Sequence, residues 1–161
     1  MLFERELIAH CSPTLASLKI ANLFSYPFIT ENELMDSVEY WKEQMEKSGI
    51  RLIILRKRNH KALIYVCRSS ELERELKRTQ VVQFLSNYGY VDMELESALE
   101  HLKERTNGCL EFPHEIGVFL GYPLEDVVGF IHNNGKNFQL AGMWKVYGDR
   151  EEAEKRFGKY K

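Results

Sequence analysis

Cysteine and proline are both scarce in this chain, three and four respectively among 161 residues. Cys11, Cys67 and Cys109 are odd in number and widely spaced, which argues against a disulfide framework and for reduced thiols. Long apolar runs are missing: stretches such as Leu52 to Leu55 fall far short of the ~20 residues that cross a bilayer. The N-terminus carries Glu4 and Glu6 where an export signal would carry basic and then apolar residues. The expected compartment is therefore the cytoplasm, with no membrane partner. Net charge is small as well, −2 from 22 basic and 24 acidic residues. That argues against a nucleic-acid binder, whose affinity comes mainly from clustered cations that neutralise phosphates. Repeats, low-complexity tracts and linkers are also lacking. What is present, 44% apolar and 29% charged residues, is ordinary globular composition. One domain over residues 1–161 can bury roughly 70% of its unfolded surface without a disulfide or metal staple.

Along the chain, Leu2 to Ala9 suits a short helix. Ser12 is a good N-cap and Pro13 a good first helical residue, so His10-Cys11-Ser12-Pro13 is expected to break that helix and start another bearing Leu15, Leu18 and Leu23. Thr30 and Glu33 form a capping box ahead of a helix that buries Leu34, Val38, Trp41 and Met45 and stops at Gly49. Arg51 to Arg56 and Ala62 to Cys67, rich in β-formers and separated by a polar tip, predict a β-hairpin. Both faces of each strand are apolar, so helices are expected on both sides of it. Ser70 and Glu73 predict a helix reaching about Tyr88 and ending at Gly89, with Leu72, Leu76, Phe84 and Leu85 inward. Asp92 caps another, with Leu95, Ala98, Leu99 and Leu102 inward. Phe138 to Tyr147 favours a strand, and Asp149 with Glu152 opens a last helix. The expected fold class is α+β, about seven helices packed around a small, mainly antiparallel sheet of that hairpin and the Phe138 to Tyr147 strand.

Phe112 to Ile131 holds the densest helix punctuation. Pro113 and Pro123 suit first-turn positions, Gly121 suits a left-handed cap, and Glu125 with Asp126 favours a helix N-terminus. Ile116, Phe119 and Leu120 share one face, and Leu124, Val127, Val128 and Ile131 share another, which predicts a tight helical corner. The run F-P-H-E-I-G-V-F-L-G-Y-P-L-E-D-V-V-G-F-I, with H-C-S-P-T-L-A-S-L-K at His10 to Lys19 and W-K-V-Y-G-D at Trp144 to Asp149, resembles a bacterial family catalogued as a domain of unknown function, the one numbered thirty-seven ninety-three. The three blocks span nearly the whole chain in that family's order. The resemblance implies no activity and no site residues.

The chemical candidates are few. A thiol at a helix start gains thiolate stabilisation from free N–H groups, which makes Cys11 a candidate nucleophile, with His114 as base and Glu115 as the group that orients it. Such a trio would serve a thiol-dependent hydrolase or acyl transferase. The plain alternative is that Cys11 packs, as unpaired cysteines commonly do. His10, Trp144, Lys145 and Tyr147 are candidate ligand-binding residues, although alternation around Trp144 also reads as a half-buried strand. His10, Cys11, Cys109 and His114 are suitable metal-ligand types, but C-x-x-C and H-E-x-x-H are both missing, so no metal or other cofactor is expected. The glycines form neither G-x-G-x-x-G nor a phosphate loop. Arg56, Lys57, Arg58, His60 and Lys61 at the hairpin tip could meet an anion or RNA, yet no aromatic platform accompanies them. The reading favoured by the sequence is a protein-interaction or small-ligand-binding module, with the helical corner and the H-C-S-P turn as its surface.

Overall fold

The computed structural model describes residues 2–16, 19–109, 112–133, 140–141 and 145–146. Its centre is an antiparallel sheet of β1 (Ala21–Pro27), β2 (Ile50–Arg58) and β3 (Lys61–Arg68) in the order β1-β3-β2. The hairpin β2–β3 turns on Asn59 and His60, both with positive φ, the geometry whose twist matches paired strands. Strand β3 is central, and Ala62 to Cys67 are all buried, as a strand covered on both faces requires.

Alternation along β3 divides the core in two. Ala62, Ile64 and Val66 pack with Phe3, Leu7 and Cys11 of α1 (Leu2–Leu15) and with Leu34, Val38 and Met45 of α2 (Glu31–Glu46). Leu63, Tyr65 and Cys67 pack on the other face with α3 (Ser69–Leu76), α4 (Thr79–Ser86), α5 (Leu95–Asn107), α6 (Ile116–Phe119) and α7 (Leu124–Asn133). The α+β class, the hairpin, the seven helices among the described residues and the helical cover on both faces agree with the sequence reading. So do the Thr30 cap, whose Oγ1 accepts the Glu33 N–H at 3.2 Å, and the positive-φ stops at Gly49, Gly89 and Gly121.

Five expectations need correction. Ser70 and Asp92 do not cap their helices: α3 follows Arg68 and α5 follows Glu94, neither with a side-chain cap, and Asp92 accepts the Glu94 N–H instead. Helix α1 runs unbroken through His10-Cys11-Ser12-Pro13 to Leu15, and Ser12 Oγ turns back to donate to the Ile8 carbonyl instead of capping a new helix. A proline this near the C-terminal end costs one intrahelical bond and no more of the helix. Residues 21–27, expected to continue helical structure at Leu23, instead form β1, because Phe24 and Tyr26 alternate inward and β3 supplies a partner strand. The helix expected from Ser70 to about Tyr88 is two, with Arg78 extended between them. At about 100° per residue, unbroken helix would carry Val81 and Leu85 about 140–180° away from Leu72 and Leu76; the break returns both pairs to the core. Finally, β4 (Leu140–Ala141) and β5 (Lys145–Val146) pair with each other in a separate two-stranded sheet and do not extend the hairpin sheet. The helix expected after Asp149 lies outside the described residues.

Candidate functional site

The three candidate catalytic residues divide between the two faces of the sheet. Cys11 lies in the last part of α1 with none of its surface exposed, in the core shared with α2. It is not at a helix start, and burial pushes its thiol up to about 12, against a smaller opposing pull from the Lys19 ammonium. His114 and Glu115 belong to the corner on the other face, where Tyr90 and Phe119 pack. His114 is exposed, its ring 6.3 Å from that of Tyr88. Glu115 is fully buried and committed to Arg105, accepting from its Nε and, at 3.0 Å, from its Nη2. The structure thus brings Glu115 and His114 to one corner and leaves Cys11 across the sheet from both. With a thiol near 12, alkylation of Cys11 in the native protein is expected to be far slower than that of a free thiol of pKa about 8.5, and unchanged by His114→Ala. Half-buried Cys109 is expected to react first.

The arginine that holds Glu115 also lies over the Tyr88 ring, 5.1 Å from its centroid. Tyr90 places its buried hydroxyl beside the same carboxylate, outside hydrogen-bond geometry, and burial followed by the Glu115 charge keeps that phenol well above its ordinary range. Tyr65 donates across the core to the Phe119 carbonyl at 2.5 Å. These contacts fasten the corner to α5 and to β3: the polar atoms of Arg105, Glu115 and Tyr65 are spent on holding the fold together, while the Tyr90 hydroxyl is buried without a hydrogen bond.

Of the candidate ligand-binding residues, His10 stacks on Phe24 at 5.3 Å and meets Glu6 at 3.2 Å on α1. Lys145 is described only as a backbone partner of Ala141. Trp144 and Tyr147 lie outside the described residues. Among the described residues no three or more His, Cys, Asp or Glu side chains stand close enough to hold a metal ion, and no helix is long and apolar enough to cross a membrane. At the hairpin tip, Lys57 is paired with Glu31 at 3.0 Å. Arg58 donates to the Asn107 carbonyl at 2.8 Å, and Arg56 donates to the carbonyls of Thr106 and Cys109 while covering the Phe112 ring. Much of the basic tip is thereby tied to α2 and to the end of α5.

A site not marked in the sequence lies along β2. The Arg68 N–H bonds to Ile20 on the β1 side, and that of Ser69 to Gly49 on the β2 side. Backbone groups alternate along a strand, so Cys67 and Tyr65 bond to their partners Arg51 and Ile53, and the N–H and C=O groups of Ile50, Leu52 and Ile54 point away from the sheet. Among the described residues no strand pairs with that edge. A β-bulge follows: Ile54 lies opposite Ile64 and Arg56 opposite Leu63, which leaves Leu55 as the extra residue, its carbonyl taken by Asn107 Nδ2 at 2.8 Å.

Helices flank the open edge. The groove over it, about 380 Å³, has Leu52 to Lys57 as its floor, Met35, Val38, Glu39 and Lys42 of α2 as one wall, and Leu99, Glu100 and Lys103 of α5 as the other. Arg51 closes one end, gripping Glu96 with both Nη atoms while its buried Nε has no hydrogen-bond partner. The Glu96 contact raises the Arg51 pKa and lowers that of Glu96, as a charge-assisted pair should. The other sheet edge, β1, likewise turns the backbone groups of Ala21, Leu23 and Ser25 outward but puts Pro27, which offers no N–H, at the end of that register. Sequence reasoning found β2 but not its open edge, because strand order decides which strand is outermost and β1 was read as helix.

The family model of proteins of unknown function designated DUF3793 matches residues 7–161, and the chain belongs to that family. No curated protein and no solved structure matches it.

Proposed function

We propose that this chain is a protein-interaction module that receives an extended segment of a partner protein as a fourth strand along β2. The observation that carries the reading is the row of outward N–H and C=O groups at Ile50, Leu52 and Ile54 on the floor of a groove walled by α2 and α5. An unpaired edge of this kind is a template for strand addition unless it is short, bulged or covered. Here the bulge at Leu55 ends the open stretch without removing it. Three outward residues supply up to six main-chain hydrogen bonds, each worth about 0.5–1.5 kcal/mol net. Side chains of the added strand would alternate between the Met35–Val38 wall and the Leu99 wall, and those contacts give specificity. A small molecule suits the groove less well, because drug-sized ligands are held in clefts that enclose most of their surface.

A thiol enzyme built on Cys11, His114 and Glu115 is not favoured, since the sheet stands between the thiol and the other two and Glu115 is already engaged by Arg105.

The test uses two substitutions at one residue and ten-residue peptides with a Val-Thr-Val-Thr-Val core. Ile54→Pro removes an outward N–H and takes no bond from β3, while Ile54→Ala trims the side chain and keeps the N–H. The peptides are expected to bind the wild type and Ile54→Ala, and to bind Ile54→Pro about tenfold more weakly or worse, the factor for ~1.4 kcal/mol of lost hydrogen bonding. Equal affinity for Ile54→Pro and Ile54→Ala, or no binding to the wild type, would refute strand addition.

A further inference from the structure

We infer that the segment received along β2 is read in a single register, with three neighbouring apolar side chains over Leu52, Ile53 and Ile54 and a polar side chain beside Arg51. This rests on the strand-addition reading and adds the side-chain pattern of the partner.

The two faces of the sheet come first. Residues opposite one another in neighbouring strands put their side chains on the same face, whichever way the added strand runs. Ile50 and Leu52 are buried in the core that α2 shares, and Ile54 packs against it. Ile53 packs against the other core, to which Leu99 of α5 belongs. Partner residues opposite Leu52 and Ile54 therefore face the α2 wall, and those opposite Arg51 and Ile53 face the α5 wall.

Position along the strand then separates apolar from charged surroundings. The Lys57–Glu31 contact at 3.0 Å puts the start of α2 at the hairpin end of β2, so Met35, one turn on, and Val38 flank the stretch near the bulge. Met35 keeps 38% of its surface exposed, and Ile53 and Ile54 are half-buried, which leaves apolar surface for an added strand to cover. Glu100 and Lys103 also line the α5 wall, but both are exposed, and long side chains of this kind keep their charged heads in water. At the other end Arg51 grips Glu96, whose side chain keeps 73% of its surface exposed. A valine opposite Arg51 would strip water from that pair and return no hydrogen bond, whereas a hydroxyl or amide returns one.

These surroundings penalise every slip. One residue toward the bulge puts the polar side chain over Leu52, facing the α2 wall. Two residues carry it to Ile53 and gain no bond at Leu55, whose carbonyl Asn107 already holds at 2.8 Å. Two residues the other way bring an apolar side chain onto Arg51.

The experiment replaces the two threonines of the Val-Thr-Val-Thr-Val core by valine, one at a time. With the core opposite Ile50 to Ile54, one threonine lies over Ile53 and the other beside Arg51 in either strand direction. One substitution is expected to tighten binding to the wild type about threefold, and the other to weaken it about fivefold. Arg51→Met combined with Glu96→Gln is expected to remove the weakening and leave the tightening. Two substitutions of equal effect, with binding still lost in Ile54→Pro, would overturn the single register and leave strand addition standing. A weakening that persists in the Arg51→Met, Glu96→Gln variant would overturn the part assigned to the ion pair. Peptides that bind Ile54→Pro as well as the wild type, or that bind neither, would overturn strand addition itself.

Discussion

Replacing Phe119 by alanine is expected to lower stability by about 3–5 kcal/mol, the range for emptying a fully buried aromatic site. Phe119 has no exposed surface, sits on the one-turn helix α6 and packs 5.5 Å from the Tyr90 ring, while its carbonyl receives the Tyr65 hydroxyl. The cavity cannot collapse readily. Gly117 is already so close to α7 that a Cβ there would stand 2.8 Å from Val127 Cγ2, and Gly121, at φ +81, would bring one to 3.1 Å from Ile20 Cβ. A corner packed this tightly has little slack to fill a void. Domains commonly hold about 5–15 kcal/mol in total, and Phe119→Ala is expected to lower the midpoint of thermal unfolding by about 6–20 °C, at 2–4 °C per kcal/mol for a chain of this size. Tyr65→Phe, which removes the hydrogen bond and keeps the ring, is expected to cost much less. Comparable losses for the two would show that the hydroxyl, and not the packing, anchors the corner.

The second large effect is electrostatic. Arg105→Met leaves the Glu115 carboxylate fully buried without its cation. Breaking a buried pair from one side costs about 3–5 kcal/mol, and the lower end applies because the Arg105 side chain keeps 28% of its surface in water. Replacing both residues, Arg105→Met with Glu115→Leu, removes the stranded charge together with its partner and is expected to restore most of the loss. The check is a denaturant midpoint for the two single variants and the double. A double variant as unstable as the sum of the singles would mean that the pair acts through shape and not charge.

Both effects concern the stretch whose punctuation was plainest in the sequence. Gly121 could be read as a stop because only glycine takes positive φ cheaply, and Pro123 as a restart because its missing N–H costs nothing there. Phe119, Leu120 and Val127 could be read as core from spacing alone. Glu115 drew notice, but its partner did not, since Arg105 is on another helix and nothing in sequence spacing ties the two. The hairpin, the Thr30 cap and the Gly49 stop were likewise local signals and were read correctly.

What escaped was non-local. Pro13 carries the same mark at the start of a helix as near its end, and the wrong choice turned β1 into helix and moved Cys11 to a helix start that does not exist. Leu72 and Leu76 fit the start of one long helix, but Val81 and Leu85 would fall on its far side, and only the sheet shows that both pairs share one core and that the helix must break between them. The β2 groove is the extreme case. Which strand is outermost is a property of the whole sheet, and the run Ile50 to Ile54 would look the same in a central strand.

The measurement that bears most directly on the account is residue-resolved amide hydrogen exchange of β2 in the free protein. The N–H groups of Arg51 and Ile53 face β3 and are expected to be protected, while those of Leu52 and Ile54 face the groove and are expected to exchange on the order of 100-fold faster, until a Val-Thr-Val-Thr-Val peptide slows them. Leu52 and Ile54 amides as slow as those of Arg51 and Ile53 in the free protein would mean that the edge is already occupied, and would contradict the open strand on which the proposed function stands.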